Sequence, residues 1–252
     1  MPGPPVACKE IMPTLVLLRH GQSQWNLEDR FTGWVDVDLS PEGEAEARRS
    51  GELIAGQGLE FDRVFTSVLA RAIRTADIAL SAAGQLWIPM DKSWRLNERH
   101  YGALTGLGKK ETAARHGAAQ VAAWRRSYAT PPPPLPRGGP YDLSGDRRYS
   151  GVAVPATESL KSTLDRVRPY WEASVAPRVA ASERVLVAAH GNSLRAIVKL
   201  LFGVSDEAIP AVEIPTGNPL VIDLDGALRP RSSRYLDGAR AETLPEPASP
   251  AS

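Results

Sequence analysis

Leu15-Val16-Leu17-Leu18-Arg19-His20-Gly21-Gln22-Ser23-Gln24-Trp25-Asn26 is an apolar run that stops at an Arg-His-Gly step. A short apolar run bounded by a polar, glycine-containing turn suits a parallel strand covered on both faces. It predicts a buried strand that delivers His20 to the lip of a sheet. The same design recurs in Arg184-Val185-Leu186-Val187-Ala188-Ala189, which runs into His190-Gly191-Asn192. Ligands of open α/β sheets sit beyond the carboxyl ends of the strands, so the two histidines are placed to face one pocket. A glycine after each lets the backbone approach a ligand closely. One histidine at a strand end is more often a hydrogen-bonded structural group; the repeated turn is what points to a site.

The chain has 252 residues, enough for one large core, and no stretch between the two turns reads as a domain linker. Lys and Arg number 30 against 29 acidic residues, a net charge of +1, which argues against a general nucleic-acid surface. Anion binding must then come from local clustering. The single cysteine, Cys8, excludes an internal disulfide and fits a reducing compartment. No stretch approaches the ~20 apolar residues of a membrane span, and Met1 to Pro13 has no apolar core of signal-sequence length. The expectation is a cytoplasmic protein with a flexible leader over 1–13, one α/β domain over 14–236 and a disordered Pro/Ala/Glu tail over 237–252.

Outward from the first turn, Ser40-Pro41-Glu42-Gly43-Glu44 reads as a helix start, with Ser40 as cap, Pro41 at the first helical position and the glutamates on the positive helix end. Arg63-Val64-Phe65-Thr66 is a short strand, and Leu69, Ile73, Ala76 and Leu80 then repeat at helical spacing. Strand and helix alternation is a βαβ signature, and the whole reads as a single three-layer domain: a mostly parallel central sheet with helices on both faces. Trp87-Ile88-Pro89-Met90 resembles an edge strand. Helical pattern runs from Lys109, pauses at Gly117 and continues to Arg126, where Pro131 to Pro134 stops it. Residues 131–156 lack apolar periodicity and read as an insertion over one face, a lid. Glu158 to Arg178 returns to helix, kinked at Pro169. Asn192 or Ser193 caps a helix from Leu194 to Phe202 that Gly203 closes, and Leu220 to Leu224 is a last strand.

The chemistry these parts allow is phosphoryl transfer. Neutral imidazole is a competent nucleophile, and a phosphohistidine divides one difficult step into two easier ones. The transferred group needs cations, which Arg19, Arg71, Arg99, Lys109, Arg125 and Arg126 can supply. Each charge-assisted bond contributes roughly 1.5 to 3 kcal/mol in a water-excluded site. The same cations favour neutral His20. Glu98, in the charged loop Trp94-Arg95-Leu96-Asn97-Glu98-Arg99-His100-Tyr101-Gly102, is the best-placed proton donor, and His190 would steady the group in transit. Two histidines and a carboxylate could instead hold zinc, but there is no His-Glu-x-x-His pair, Cys-x-x-Cys or Asp-rich cluster.

Leu17 to Asn26 closely resembles the signature of the histidine phosphatase superfamily, in its cofactor-dependent phosphoglycerate mutase branch. Phe31-Thr32-Gly33-Trp34, Leu39 to Gly43, Thr66-Ser67, Arg71 to Thr75, Trp94 to Gly102, Leu104 to Leu107, Lys109, Trp124-Arg125-Arg126, the proline run, Asp146 to Tyr149, Glu158-Ser159-Leu160 and Ala189 to Arg195 match it in the same order, so the resemblance covers about Thr14 to Leu224. It implies that His20 is phosphorylated and that Glu98 donates and accepts the proton. Arg19, Arg71 and His190 would surround the phosphoryl group, with Ser23, Asn26, Thr32, Gly33, Gly191 and Asn192 binding it or the substrate. Arg99, Tyr101, Lys109, Arg125 and Arg126 would hold the substrate's carboxylate and second phosphate. The implied partners are small phosphorylated three-carbon acids, 2- and 3-phosphoglycerate, with 2,3-bisphosphoglycerate as primer, no metal, no nucleic acid, no membrane, and a homodimer or homotetramer.

The chain departs from that pattern at Gln22, where many relatives carry Glu, in a shorter segment between Pro134 and Glu158, in a tail without the lysines of some relatives, and in its extra leader. Two other activities fit the same residues: a phosphatase, in which water intercepts the phosphohistidine, and a silent phospho-ligand-binding protein. Intact His20, Glu98 and His190 argue against the second.

Overall fold

The computed structural model describes residues 13–244. The Cys8 leader and residues 245–252 lie outside the described residues. Six strands form one sheet in the order β3-β2-β4-β1-β5-β6: β1 (Thr14–Arg19), β2 (Arg63–Thr66), β3 (Met90–Lys92), β4 (Val185–Ala189), β5 (Leu220–Leu224) and β6 (Pro230–Tyr235). The first four run parallel, while β5 and β6 join antiparallel beyond β1. The helices are α1 (Gln24–Leu27), α2 (Pro41–Gly56), α3 (Ala70–Ala82), α4 (Lys109–His116), α5 (Ala118–Arg126), α6 (Leu160–Tyr170), α7 (Ala176–Ala180) and α8 (Gly191–Phe202).

The period-two alternation of a strand explains the layers. Leu15 and Leu17 of β1 face one core with Val185 and Val187 of β4, covered by α6 to α8. Val16 and Leu18 face the other with Leu186 and Ala188, covered by α2 and α3. Both faces of β1 and β4 are thus buried, which is why these strands read as unbroken apolar runs. α2 starts as expected: Ser40 Oγ accepts the Gly43 N–H at 3.1 Å, with Pro41 in the first turn. α4 and α5 are separated at Gly117, whose φ of +86° suits glycine.

Several expectations are corrected. The short third strand begins only at Met90, since Pro89 offers its carbonyl to Val64 but has no N–H for a ladder. Pro169 does not break α6; the distortion falls beyond it, where Trp171–Val175 forms a π-helical turn that buries Trp171 and Val175 before α7. α8 begins one residue after His190, so Ser193 Oγ reaches back to accept the His190 N–H at 3.2 Å from inside the first turn. The second antiparallel strand, β6, had no apolar pattern to announce it: Pro230-Arg231-Ser232-Ser233-Arg234-Tyr235 is a polar sheet edge. Part of the tail expected to be disordered from 237 is held in place: a 3-10 turn spans Gly238–Arg240, Asp237 is buried against Asn218, Arg240 pairs with Glu46 at 2.8 Å, and half-buried Leu244 packs on the core, while 241–243 are exposed. No described helix is long and apolar enough to cross a membrane.

Candidate active site

Parallel pairing sets Arg19 beside Ala189, so the next residue of each strand, His20 and His190, arrives at the same sheet end. The His20 N–H donates to the Ala189 carbonyl at 2.9 Å. The two rings meet edge-on with centroids 4.9 Å apart, and both side chains are buried. The glycine after His20 serves the protein and not, as expected, a ligand: a Cβ on Gly21 would collide with the Gly43 carbonyl in the first turn of α2. Gly191 meets nothing closer than the Arg19 guanidinium at 3.5 Å.

His20 Nδ1 lies 2.7 Å from the Gly21 carbonyl, which can only accept. Nδ1 therefore carries the proton and Nε2 keeps its lone pair. Burial, then Arg71 and Arg19, holds the His20 pKa well below 6.5. His190 is lowered in the same way by burial, Arg71 and His20. Both rings are neutral at pH 7, the form in which His20 is a nucleophile.

Arg19, His20, Ser23, Asn26, Thr32, Gly33, Arg71, Glu98, Tyr101, Lys109 and Arg125 line one cleft. Arg71 is fixed from the start of α3 by the carbonyls of Val35 and Gly33 at 2.9 and 2.8 Å. Its burial lowers its pKa to about 10, still charged at pH 7. Ser23 and Asn26 cap α1 reciprocally, each side chain accepting the other's backbone N–H. Arg19 donates to the Ile214 carbonyl at 2.8 Å, while its Nε and the Thr32 hydroxyl are buried without a hydrogen-bond partner. The cleft thus gathers unpaired donors of Arg19 and Thr32 and several cations, of which Lys109 pairs with Asp29 at 3.1 Å, around the one lining carboxylate Glu98, a set that fits a small, multiply charged anion.

Glu98 follows a 3-10 turn over Trp94–Leu96. Its Oε1 accepts three N–H groups, from the Arg99 backbone at 2.7 Å, the Asn192 amide side chain at 2.8 Å and the Asn192 backbone at 3.2 Å. That occupies one oxygen and leaves Oε2 as the free one. Arg166 of α6 fixes the loop by donating to the carbonyls of Arg95, Asn97 and Glu98 at 2.6, 3.0 and 2.9 Å, while it pairs with buried Glu158 at 2.6 Å. Arg195 orients Asn192 by donating to its Oδ1 at 3.1 Å, which turns the amide NH2 toward Glu98.

Two of the residues expected to hold substrate stand apart. Arg99 is fully buried behind the Tyr101 ring and donates to the Arg125 carbonyl at 2.7 Å. Arg126 is paired with Glu213. Neither lines the cleft; for Arg126 the reason is that successive residues on α5 point about 100° apart and Arg125 takes the inward position. Asn192 reaches the site through Glu98. Arg30 and Phe31 also line the cleft and were not anticipated, although they adjoin Thr32 in the sequence. Arg166 lies outside every motif and was missed, while Ser67 and Arg195 fall within matched motifs but were assigned no role. The expected lid contacts the rim: Tyr141 stacks edge-on against Trp25 at 5.7 Å beside Arg30, and buried Tyr149 packs on Trp34 at 4.9 Å.

The histidine phosphatase superfamily (branch 1) model matches residues 15–229. A 2,3-bisphosphoglycerate-dependent phosphoglycerate mutase of Caulobacter vibrioides (strain NA1000 / CB15N) is 68% identical over 235 residues, covering 93% of this chain and 99% of that one. One of Zymomonas mobilis subsp. mobilis is 59% identical over 226 residues, covering 90% and 99%. Among solved structures, a mycobacterial glucosyl-3-phosphoglycerate phosphatase superposes with a TM-score of 0.67 at 24% identity, covering 88% of this chain and 96% of that one, a likeness of fold. The neutral strand-end histidine, the cationic cleft and this identity over nearly the whole chain agree: the chain belongs to the histidine phosphatase superfamily and, within it, to the family of the 2,3-bisphosphoglycerate-dependent phosphoglycerate mutases.

Proposed function

We propose that the protein interconverts 2-phosphoglycerate and 3-phosphoglycerate, in glycolysis and gluconeogenesis, by passing a phosphoryl group through His20. The observation that carries this reading is one cleft in which neutral His20 shares the space with Glu98 and with the cations Lys109 and Arg125. A nucleophile and a phosphate cradle alone would suffice for hydrolysis; the further cations suit a substrate that must be held by its carboxylate while either phosphate position is presented.

Once His20 is loaded, the free hydroxyl of the bound phosphoglycerate attacks the phosphorus on His20 as the P–Nε2 bond breaks, and its proton passes to Glu98 Oε2. In the return step His20 Nε2 attacks the phosphate at the other position as its P–O bond to the substrate breaks, and Glu98 gives the proton back to the departing oxygen, so atoms and charges close over the cycle. Arg19, Arg71 and His190 offset charge on the moving oxygens, aided by Ser23, Asn26, Thr32 and Gly33. Tyr101, Lys109 and Arg125 hold the rest of the substrate. When bound, 2,3-bisphosphoglycerate supplies the phosphoryl group that first loads His20. The cleft's excess of cations over its one carboxylate fits that primer.

The test is turnover of 3-phosphoglycerate with and without 2,3-bisphosphoglycerate, with inorganic phosphate followed in parallel. The expected result is 2-phosphoglycerate formation stimulated by the primer, with phosphate release a small fraction of it. Phosphate release exceeding isomer formation would make the protein a phosphatase instead.

A further inference from the structure

The two facing histidines are held by opposite kinds of neighbour. His20 Nδ1 meets a carbonyl, an acceptor. His190 Nε2 lies 2.8 Å from the hydroxyl of Ser67, at the turn that leaves β2. That hydroxyl is itself buried, and its oxygen already accepts the Leu69 N–H at 3.1 Å. Among the described residues, His190 Nε2 is the one acceptor within its reach. A buried hydroxyl without an acceptor is costly, so the Ser67 hydrogen belongs on the line to Nε2. Nε2 must then offer a lone pair, and the single proton of the neutral ring resides on Nδ1. His190 Nδ1 is buried and closes no hydrogen bond in the protein, although the side chain stands toward the Ser193 backbone N–H in the first turn of α8; its ring adjoins that of His20.

We propose that Ser67 is a positioning residue that fixes the His190 tautomer, keeping its proton on Nδ1 so that His190 presents an N–H donor while His20 presents a lone pair. That the donor serves the phosphoryl group in transit rests on the function proposed above; the placement of the proton does not. The division of roles comes from second neighbours: the Gly21 carbonyl makes one imidazole a nucleophile, and the Ser67 hydroxyl makes the other a donor.

Long-range proton–nitrogen correlation spectra of histidine-labelled protein at pH 7.5 read the tautomer directly, with the His190 signals identified by their loss in His190→Asn. The expected wild-type pattern is a protonated Nδ1 and a bare Nε2. Ser67→Ala should release the constraint, giving a mixture or the opposite tautomer, with kcat down about tenfold and KM within about twofold. Ser67→Thr, which keeps the hydroxyl, should retain the wild-type pattern. A wild-type ring protonated on Nε2, or a tautomer unchanged in Ser67→Ala, overturns the proposal. The wild-type spectrum decides the proton's position even if a variant folds poorly. Protein with the expected tautomer but no mutase turnover would reject the proposed reaction and leave the role of Ser67 standing.

Discussion

The two walls of the cleft are built by different means. The His20 and His190 wall comes from backbone register: two buried parallel strands end together, and the residues after them must converge. The Glu98 wall comes from side chains: Arg166, Asn192 and Arg195 hold an irregular loop through carbonyls, amides and one buried ion pair. The first wall is as rigid as the core beneath it. The second is only as sound as its polar partners, and these are expensive to break one at a time because what remains is buried and unmatched. Chemistry should therefore be most sensitive at single atoms of either wall, whereas stability should be sensitive chiefly behind the second.

The largest expected effect is on the proton. Glu98→Gln preserves an oxygen for the Asn192 and Arg99 N–H groups but removes the transferable proton, so kcat should fall by about 10²–10⁴ with KM little changed. Steady-state kinetics on 3-phosphoglycerate check it, and an unchanged kcat would remove Glu98 from its role. Next comes the clamp behind that residue. Arg166→Met should cost about 3–5 kcal/mol in denaturant unfolding because Glu158 is left buried and unpaired, and Arg166→Met with Glu158→Leu together should cost less than the single change. Equal losses in both would mean that the ion pair does not anchor the loop.

Smaller differences are expected on the substrate side, where geometry separates cations that the sequence groups together. Lys109→Ala, which removes a cation of the cleft, should raise KM about tenfold, the scale of one charge-assisted bond. Arg126→Ala, which removes the partner of half-exposed Glu213, should change it less than about threefold. Comparable KM values would return Arg126 to the substrate.

The mildest perturbation is acid. Burial holds His20 and His190 well below 6.5 and His100 at about 4. As pH falls below 6.5 the unfolded chain takes up protons at these rings while the folded one does not, so the unfolded state is favoured progressively. The denaturant midpoint should therefore decline between pH 7 and pH 5, in advance of carboxylate titration. A constant or rising midpoint would contradict the buried neutral histidines.

This contrast also explains what could be read in advance. β1 and β4 were legible because burial on both faces leaves a continuous apolar run, and the histidine turns, the Ser40 cap and the Gly117 break carry local signals. The fold class follows from them. β6 was illegible because an edge strand is polar by necessity, and the held part of the tail because its attachments, Asn218, Arg49 and Glu46, are distant in the chain. Of the site, the family motifs brought nearly the whole cleft lining into view. They could not distinguish Arg125 from Arg126, which differ by one helical step, nor give Ser67 a role or reveal Arg166, whose meaning lies in what they touch.

The central claim is that the phosphoryl group travels on His20 and returns to a phosphoglycerate. Incubation with 2,3-bisphosphoglycerate labelled in its phosphoryl groups, followed by a chase with unlabelled 3-phosphoglycerate, tests it directly. The account predicts label on His20, absent in His20→Ala, that chases into phosphoglycerates faster than into inorganic phosphate. Label retained in His20→Ala, or chased chiefly into inorganic phosphate, would contradict it.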